Sequence, residues 1–168
     1  MSKSIIICGV CGKDHAGLPT DYGFRLPDDV WALSSEEKSE RAQFTSDLCR
    51  FDGRHFIRCA LLSPFAENNE DFGWGVFVEV ERPIFDRYVV LFATDASGEP
   101  CYPGKLANAL PSYPASLGMD VLIQFQSADA RPLIHIPDTD SSPVALDQRH
   151  GISAARYHDI LTAIGVTV

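Results

Sequence analysis

His55-Phe-Ile-Arg-Cys-Ala-Leu-Leu62 and Phe72-Gly-Trp-Gly-Val-Phe-Val-Glu-Val80 are the stretches that decide the fold. Both read as strands. In the second, Trp74, Val76, Val78 and Val80 fall on one face, and Gly75, Phe77 and Glu79 on the other. The segment 63–71 between them reads as a loop, so the two strands are expected to pair antiparallel. Val121–Phe125 and Leu133–Ile136 read as further strands.

Helical signals lie before, between and after these strands. Pro27-Asp28-Asp29-Val30-Trp31 has proline and acids where a first helical turn favours them. Ser34 followed by Glu37 has capping-box spacing, and the residues from Ser35 to Arg41 are polar enough for a surface helix. Phe85, Tyr88, Val89 and Phe92 have the spacing of one helical face. Ser153 caps a last helix with Tyr157, Ile160, Leu161 and Ile164 as its stripe, and Gly165 ends it. The glycines and prolines of 98–116 predict a long irregular connection, with one helical turn at Lys105–Leu110; 137–143 reads as a loop. The expected fold is α+β, an antiparallel sheet with helices on one face and a zinc knuckle at an edge.

The knuckle is Cys8-Gly-Val-Cys11-Gly12 with His15 behind it, preceded by a short strand over residues 5–7. Two thiols three positions apart, with glycine after the second, make the turn that grips one side of a metal. Zinc takes four ligands, so one place is left. Cys49 is the candidate for it, because it lies in a polar stretch where a thiol has no obvious packing task. Cys59 sits in an apolar strand, where packing explains it; Cys101, in the glycine- and proline-rich loop, also competes. Four protein ligands would leave no place for an activated water, which makes the metal structural. Three thiolates and one Zn2+ would carry a charge of about −1, with Lys13 and Arg50 available to offset it.

The chain has 168 residues, 45% hydrophobic and 22% charged, enough to bury a core without the metal. It reads as one domain over 1–168, the knuckle being 5–20 plus Cys49 and the α+β body 21–168. The formal net charge of −9 opposes phosphate backbones and anionic lipid, so neither nucleic acid nor membrane is an expected partner. Ile5-Ile6-Ile7 is too short for a signal-peptide core, and no later stretch reaches spanning length. A cytoplasmic location follows as an expectation, with the five cysteines as ligands or core residues.

Outside the knuckle, Arg58 shares a strand face with Phe56 and Ala60. A guanidinium there needs either an acid, such as Glu79 across the sheet, or a bound anion. Trp74, between two glycines, reads as core or as the wall of a pocket. Asn108, Tyr113, Arg131 and Gln148 are polar residues in loop-like stretches, where turn capping accounts for them. The chain has no G-x-S-x-G elbow, no H-E-x-x-H and no G-x-x-x-x-G-K. His55, His135, His150 and His158 are scattered.

Taken together, the motifs resemble a bacterial group, the uncharacterised family Domain of Unknown Function 2199. The resemblance rests on Cys8-x-x-Cys11-Gly12 with His15 and Pro19, Asp47-Leu-Cys49, Phe56-x-Arg58, and Phe72-x-Trp74-Gly75-Val76. It continues in Leu106-x-Asn108-x-Leu110-Pro-x-Tyr113-Pro114, Arg131-Pro132 and Gln148-Arg-x-Gly151-Ile152. It implies that Cys49, rather than Cys59, joins the knuckle, and it implies no activity. The expected function is a zinc-stabilised cytoplasmic binding module for a protein partner or small ligand, with Arg58, Trp74, Asn108 and Tyr113 as its candidate site. The alternative is an enzyme acting on an anionic small molecule at a pocket near Arg58 and Trp74.

Overall fold

The computed structural model describes residues 8, 10–15 and 17–167; the strand expected over 5–7 lies outside them. Eight strands and five helices follow one another along this part of the chain. The spine is the hairpin of β4 (Arg54–Pro64) and β5 (Asp71–Val80), antiparallel from His55↔Val80 to Pro64↔Asp71. These strands are long enough to serve two neighbours each. β4 pairs with β3 (Leu48–Phe51) along its first half and with β8 (Leu133–His135) at Ala60↔Leu133. β5 pairs with β1 (Asp21–Gly23) at Gly73–Gly75 and with β6 (Tyr102–Leu106) at Val78 and Glu79. β7 (Asp120–Gln124) lies between β6 and β8, so the strands from β4 through β8 return to β4 and close a barrel. β2 (Ala42–Phe44) extends the sheet beyond β3.

This corrects the expectation of an open antiparallel sheet. Closure runs through a parallel pairing, β4 with β8, and β1 is also parallel to β5. Closing the sheet on itself removes edges that an open sheet of these strands would present.

Strand alternation gives the sheet two unlike faces. Ile57, Cys59 and Leu61 of β4 and Trp74, Val76 and Val78 of β5 point into the main core. Three helices fill that core: α3 (Arg82–Leu91) with Ile84, Phe85 and Tyr88, α4 (Pro143–His150) with Val144 and Ala145, and α5 (Ala154–Ala163) with Tyr157, Ile160 and Leu161. Phe56 and Phe77 point the other way, into a smaller cluster with Cys49, Phe51, Leu26 and Val30. Val30 comes from α1 (Asp28–Trp31). Helices therefore cover both faces of the sheet, not one.

The end signals work as the sequence predicts. Ser34 and Glu37 form the full capping box of α2 (Ser35–Arg41), and the Ser153 side chain accepts from Arg156 N–H. Gly165 at φ 87° lets Val166 N–H reach back to Leu161 O at 2.9 Å, closing α5. Of the α3 stripe, Phe85 and Tyr88 are buried, but Val89 and Phe92 are exposed.

The stretch 98–116 holds a strand where a loop with a helical turn was expected. Pro103 and Gly104 lie within β6, and the reason for glycine is contact. A Cβ at Gly104 would stand 2.4 Å from Val78 Cγ1 and 2.9 Å from the Glu79 carbonyl. Gly104→Ala should destabilise the barrel by about 1–3 kcal/mol through overpacking. Gly98→Ala, which meets nothing within 4 Å, should be neutral; urea unfolding of the two variants checks both.

Candidate metal centre

The knuckle folds as a tight turn. Gly12 N–H donates to the Cys8 carbonyl at 2.8 Å, with Gly12 at φ 71°, a conformation that favours glycine. Cys8 N–H donates to Lys13 O at 2.9 Å, which folds the following segment back on the turn. Val10 N–H points at Cys8 Sγ at 3.3 Å, the arrangement that stabilises a thiolate. Burial pushes the Cys8 thiol up, but the backbone N–H groups of Cys11 and Val10 and the Cys11 side chain outweigh it. The net effect holds Cys8 below its ordinary value.

His15 is buried beside the two thiols. Its Nε2 lies 3.4 Å from Cys11 Sγ and 3.3 Å from His158 Nδ1. Burial, followed by the nearby His158, holds His15 below the ordinary histidine value, which favours the neutral ring that a metal requires. The ligand atoms of Cys8, Cys11, His15 and His158 all lie within 4.8 Å of one another, a group that could hold a metal ion.

The fourth member is therefore His158, not Cys49. His158 stands on α5, beside the buried stripe, 143 residues from His15 in the chain. Two further contacts seat α5 on the same segment: Tyr157 OH donates to Pro19 O at 2.7 Å, and the Tyr157 ring meets His15 edge-on at 6.2 Å. Cys49 is a strand residue. It faces Phe44 and Phe56 across β2 and β3–β4, packs in the smaller apolar cluster, and burial pushes its thiol up to about 11. The polar look of Ser46-Asp47-Leu48-Cys49-Arg50 is strand alternation, with Arg50 exposed and Cys49 buried. Arg50 stacks on Phe85, not beside the knuckle. Cys59 is buried in the main core and Cys101 is exposed; neither joins the group.

The remaining candidate residues do not form one site. Trp74 pairs opposite Leu61 and is fully buried inside the barrel, whereas Arg58 pairs opposite Phe77 on the other face, so the two do not share a cavity. Asn108 is a buried clamp. Its Oδ1 accepts from Phe77 N–H at 2.8 Å, and its Nδ2 donates to Leu26 O and Asp28 Oδ1, each at 2.9 Å. Tyr113 OH donates to Asp147 at 2.6 Å, Asp147 also holds Arg156 at 3.0 Å, and the Tyr113 ring meets Trp74 edge-on. Gln148 fastens α4 to β8 by accepting from Ile136 N–H and donating to Ile134 O, both at 2.9 Å. Arg131 pairs with Asp47 at 2.9 Å. Glu79, the acid expected opposite Arg58, is bound by Arg54 instead. A cleft of about 410 Å3 runs past Arg54, His55, Glu81 and Lys105, without Arg58.

Two substitutions separate the ligand sets. Cys49→Ala should keep the metal content of the parent protein and lose only about 1 kcal/mol of packing. His158→Ala should weaken metal affinity by more than about a hundredfold, since removal of even an outer-shell partner costs up to that much. Elemental analysis after dialysis against a weak chelator reads both.

No helix among the described residues is long and apolar enough to cross a membrane. No curated protein and no solved structure matches the chain. A family described as an uncharacterized protein conserved in bacteria (DUF2199) matches residues 7–152, a span that includes the knuckle and the barrel but stops before α5 and His158. With most of its length covered by that match, the chain belongs to the bacterial family DUF2199.

Proposed function

We propose that this protein is a cytoplasmic binding module whose N-terminal knuckle and last helix are stapled by one structural zinc, held by Cys8, Cys11, His15 and His158. The observation that carries the reading is the placement of His15 Nε2, 3.4 Å from Cys11 Sγ and 3.3 Å from His158 Nδ1. Zinc–sulfur bonds of about 2.3 Å and zinc–nitrogen bonds of about 2.0–2.1 Å, set at tetrahedral angles, require S···N edges of about 3.5 Å and N···N edges of about 3.3–3.4 Å. Two thiolates, two neutral imidazoles and Zn2+ sum to zero charge, so the half-buried site needs no outside counter-ion. Lys13 and Arg50 are then not required to balance it.

Four protein ligands fill the tetrahedron, which supports a structural role for the metal. Reduced Cys8 and Cys11 suit the thiol-reducing cytoplasm. The net charge of −9 supports a protein partner or small ligand over nucleic acid or membrane. The enzyme alternative finds support in one place, the unpaired Arg58 guanidinium, which suits an anionic substrate.

Zinc at a hundred times its Kd would add about 2.7 kcal/mol to stability. Removing it with a chelator should lower Tm by about 5–11 °C. The transition should stay cooperative, because none of the four ligands belongs to the barrel core. Calorimetry with and without chelator, on protein of measured zinc content, checks this; a chain that unfolds outright in chelator would make zinc the centre of the fold. The binding reading itself is tested by metabolite screening. Reproducible turnover, lost in a folded Arg58→Ala variant, would replace it with the enzyme reading.

A further inference from the structure

The chain has 23 acidic residues and a net charge of −9, yet among the described residues no carboxylate pairs with the guanidinium of Arg58. Other arginines have acids: Arg54 has Glu79 and Asp29, Arg131 has Asp47, and Arg156 has Asp147. The Arg58 side chain makes no ion pair among the described residues, and its Nε is buried with no hydrogen-bond acceptor. The acid whose charge acts on it, Asp47, is already held by Arg131 at 2.9 Å. Burial, and then the Arg131 charge, hold Arg58 below its ordinary value, as expected of a cation whose counter-ion is elsewhere.

The fold reserves space for this group. A Cβ on Gly23 of β1 would lie 2.6 Å from Arg58 Nη2, and one on Gly75 of β5 would lie 3.0 Å from the same atom. Neither glycine is among those with a left-handed φ. Strand backbone at these positions accepts any L-residue; a Cβ at either would first meet the end of the Arg58 side chain, and one on Gly75 would also stand 3.4 Å from Gly23 Cα. Two adjacent strands, paired at Gly23↔Gly75, thus present bare backbone to the guanidinium on the outer face of the sheet. A planar fork of N–H donors with no partner among the described residues suits an oxyanion.

We propose that Arg58, seated between Gly23 and Gly75, is an oxyanion-binding site that takes a carboxylate or phosphate group. This gives the binding-module reading a ligand class and rests on that reading only for the claim that binding is the protein's task. The zinc staple plays no part in it.

The test titrates sodium phosphate and sodium acetate into metal-loaded protein at constant ionic strength, with sodium chloride as control. The Arg58 Nε–H NMR resonance and Tm are followed. Phosphate, acetate or both should move the resonance saturably and raise Tm by mass action, whereas chloride should not. Response to phosphate alone assigns a phosphoryl ligand; response to acetate alone assigns a carboxylate. Arg58→Gln should abolish the Tm response. Gly75→Ala, which displaces the guanidinium while keeping its charge, should weaken binding at least tenfold, since a charge-assisted hydrogen bond contributes about 1.5–3 kcal/mol. No saturable response to either anion overturns the proposal. So does a folded Arg58→Gln protein that responds as the parent does. If Arg58→Gln fails to fold, Gly23→Ala is read in its place, and a parent-like response there overturns it equally. Zinc content is measured on every sample, so loss of the staple and loss of the anion site are told apart.

Discussion

The register of β4 against β5 is the constraint on which the rest depends. With Leu61 opposite Trp74 and Arg58 opposite Phe77, every side chain on the hairpin is committed to one of two faces. Slipping β5 by one residue against β4 would put Trp74 and the valines outside and Gly75, Phe77 and Glu79 inside. One face can then fill a barrel and the other can carry a smaller cluster beneath α1. The excess length of both strands, each reaching a second neighbour, allows the ring to close.

The polar residues that look functional in the sequence mostly hold this arrangement together. Asn108 occupies a place where a backbone N–H of β5 and the carbonyl of Leu26 must both be satisfied away from water. An unpaired buried backbone group costs about 1–3 kcal/mol, so an amide with one acceptor and two donors suits the position. Tyr113, Asp147 and Arg156 join the loop after β6 to α4 and α5. Burial and then Asp147 push the Tyr113 phenol up, which fits a group that donates and does not titrate. Arg58 differs, because its buried Nε has no hydrogen-bond partner and its side chain makes no ion pair among the described residues.

The Cys/His group joins the two ends of the described chain. The knuckle is local in the chain, but His158 reaches it only because the apolar stripe of α5 docks on the barrel and turns the edge of that helix toward His15. Tyr157 does both jobs at once, packing against Phe65 and Phe72 while its hydroxyl binds Pro19 O. The geometry of this Cys/His group is thus a product of helix packing as well as of motif spacing.

The sequence by itself determined the α+β class, the β4–β5 pair, the caps of α2 and α5, and three of the four members of the Cys/His group. All of these are encoded locally, in side-chain period, in capping residues and in ligands a few positions apart. Only the tertiary structure decided that the sheet closes through a parallel pairing, that β6 is a strand despite Pro103 and Gly104, that Cys49 is core, and that His158 completes the group. Each of these depends on partners far away in the chain. A glycine chosen for its closeness to Val78, a thiol sheltered by Phe56 and a histidine brought 143 residues back to His15 leave no mark in the residues around them, because the contact that explains each one is made by folding.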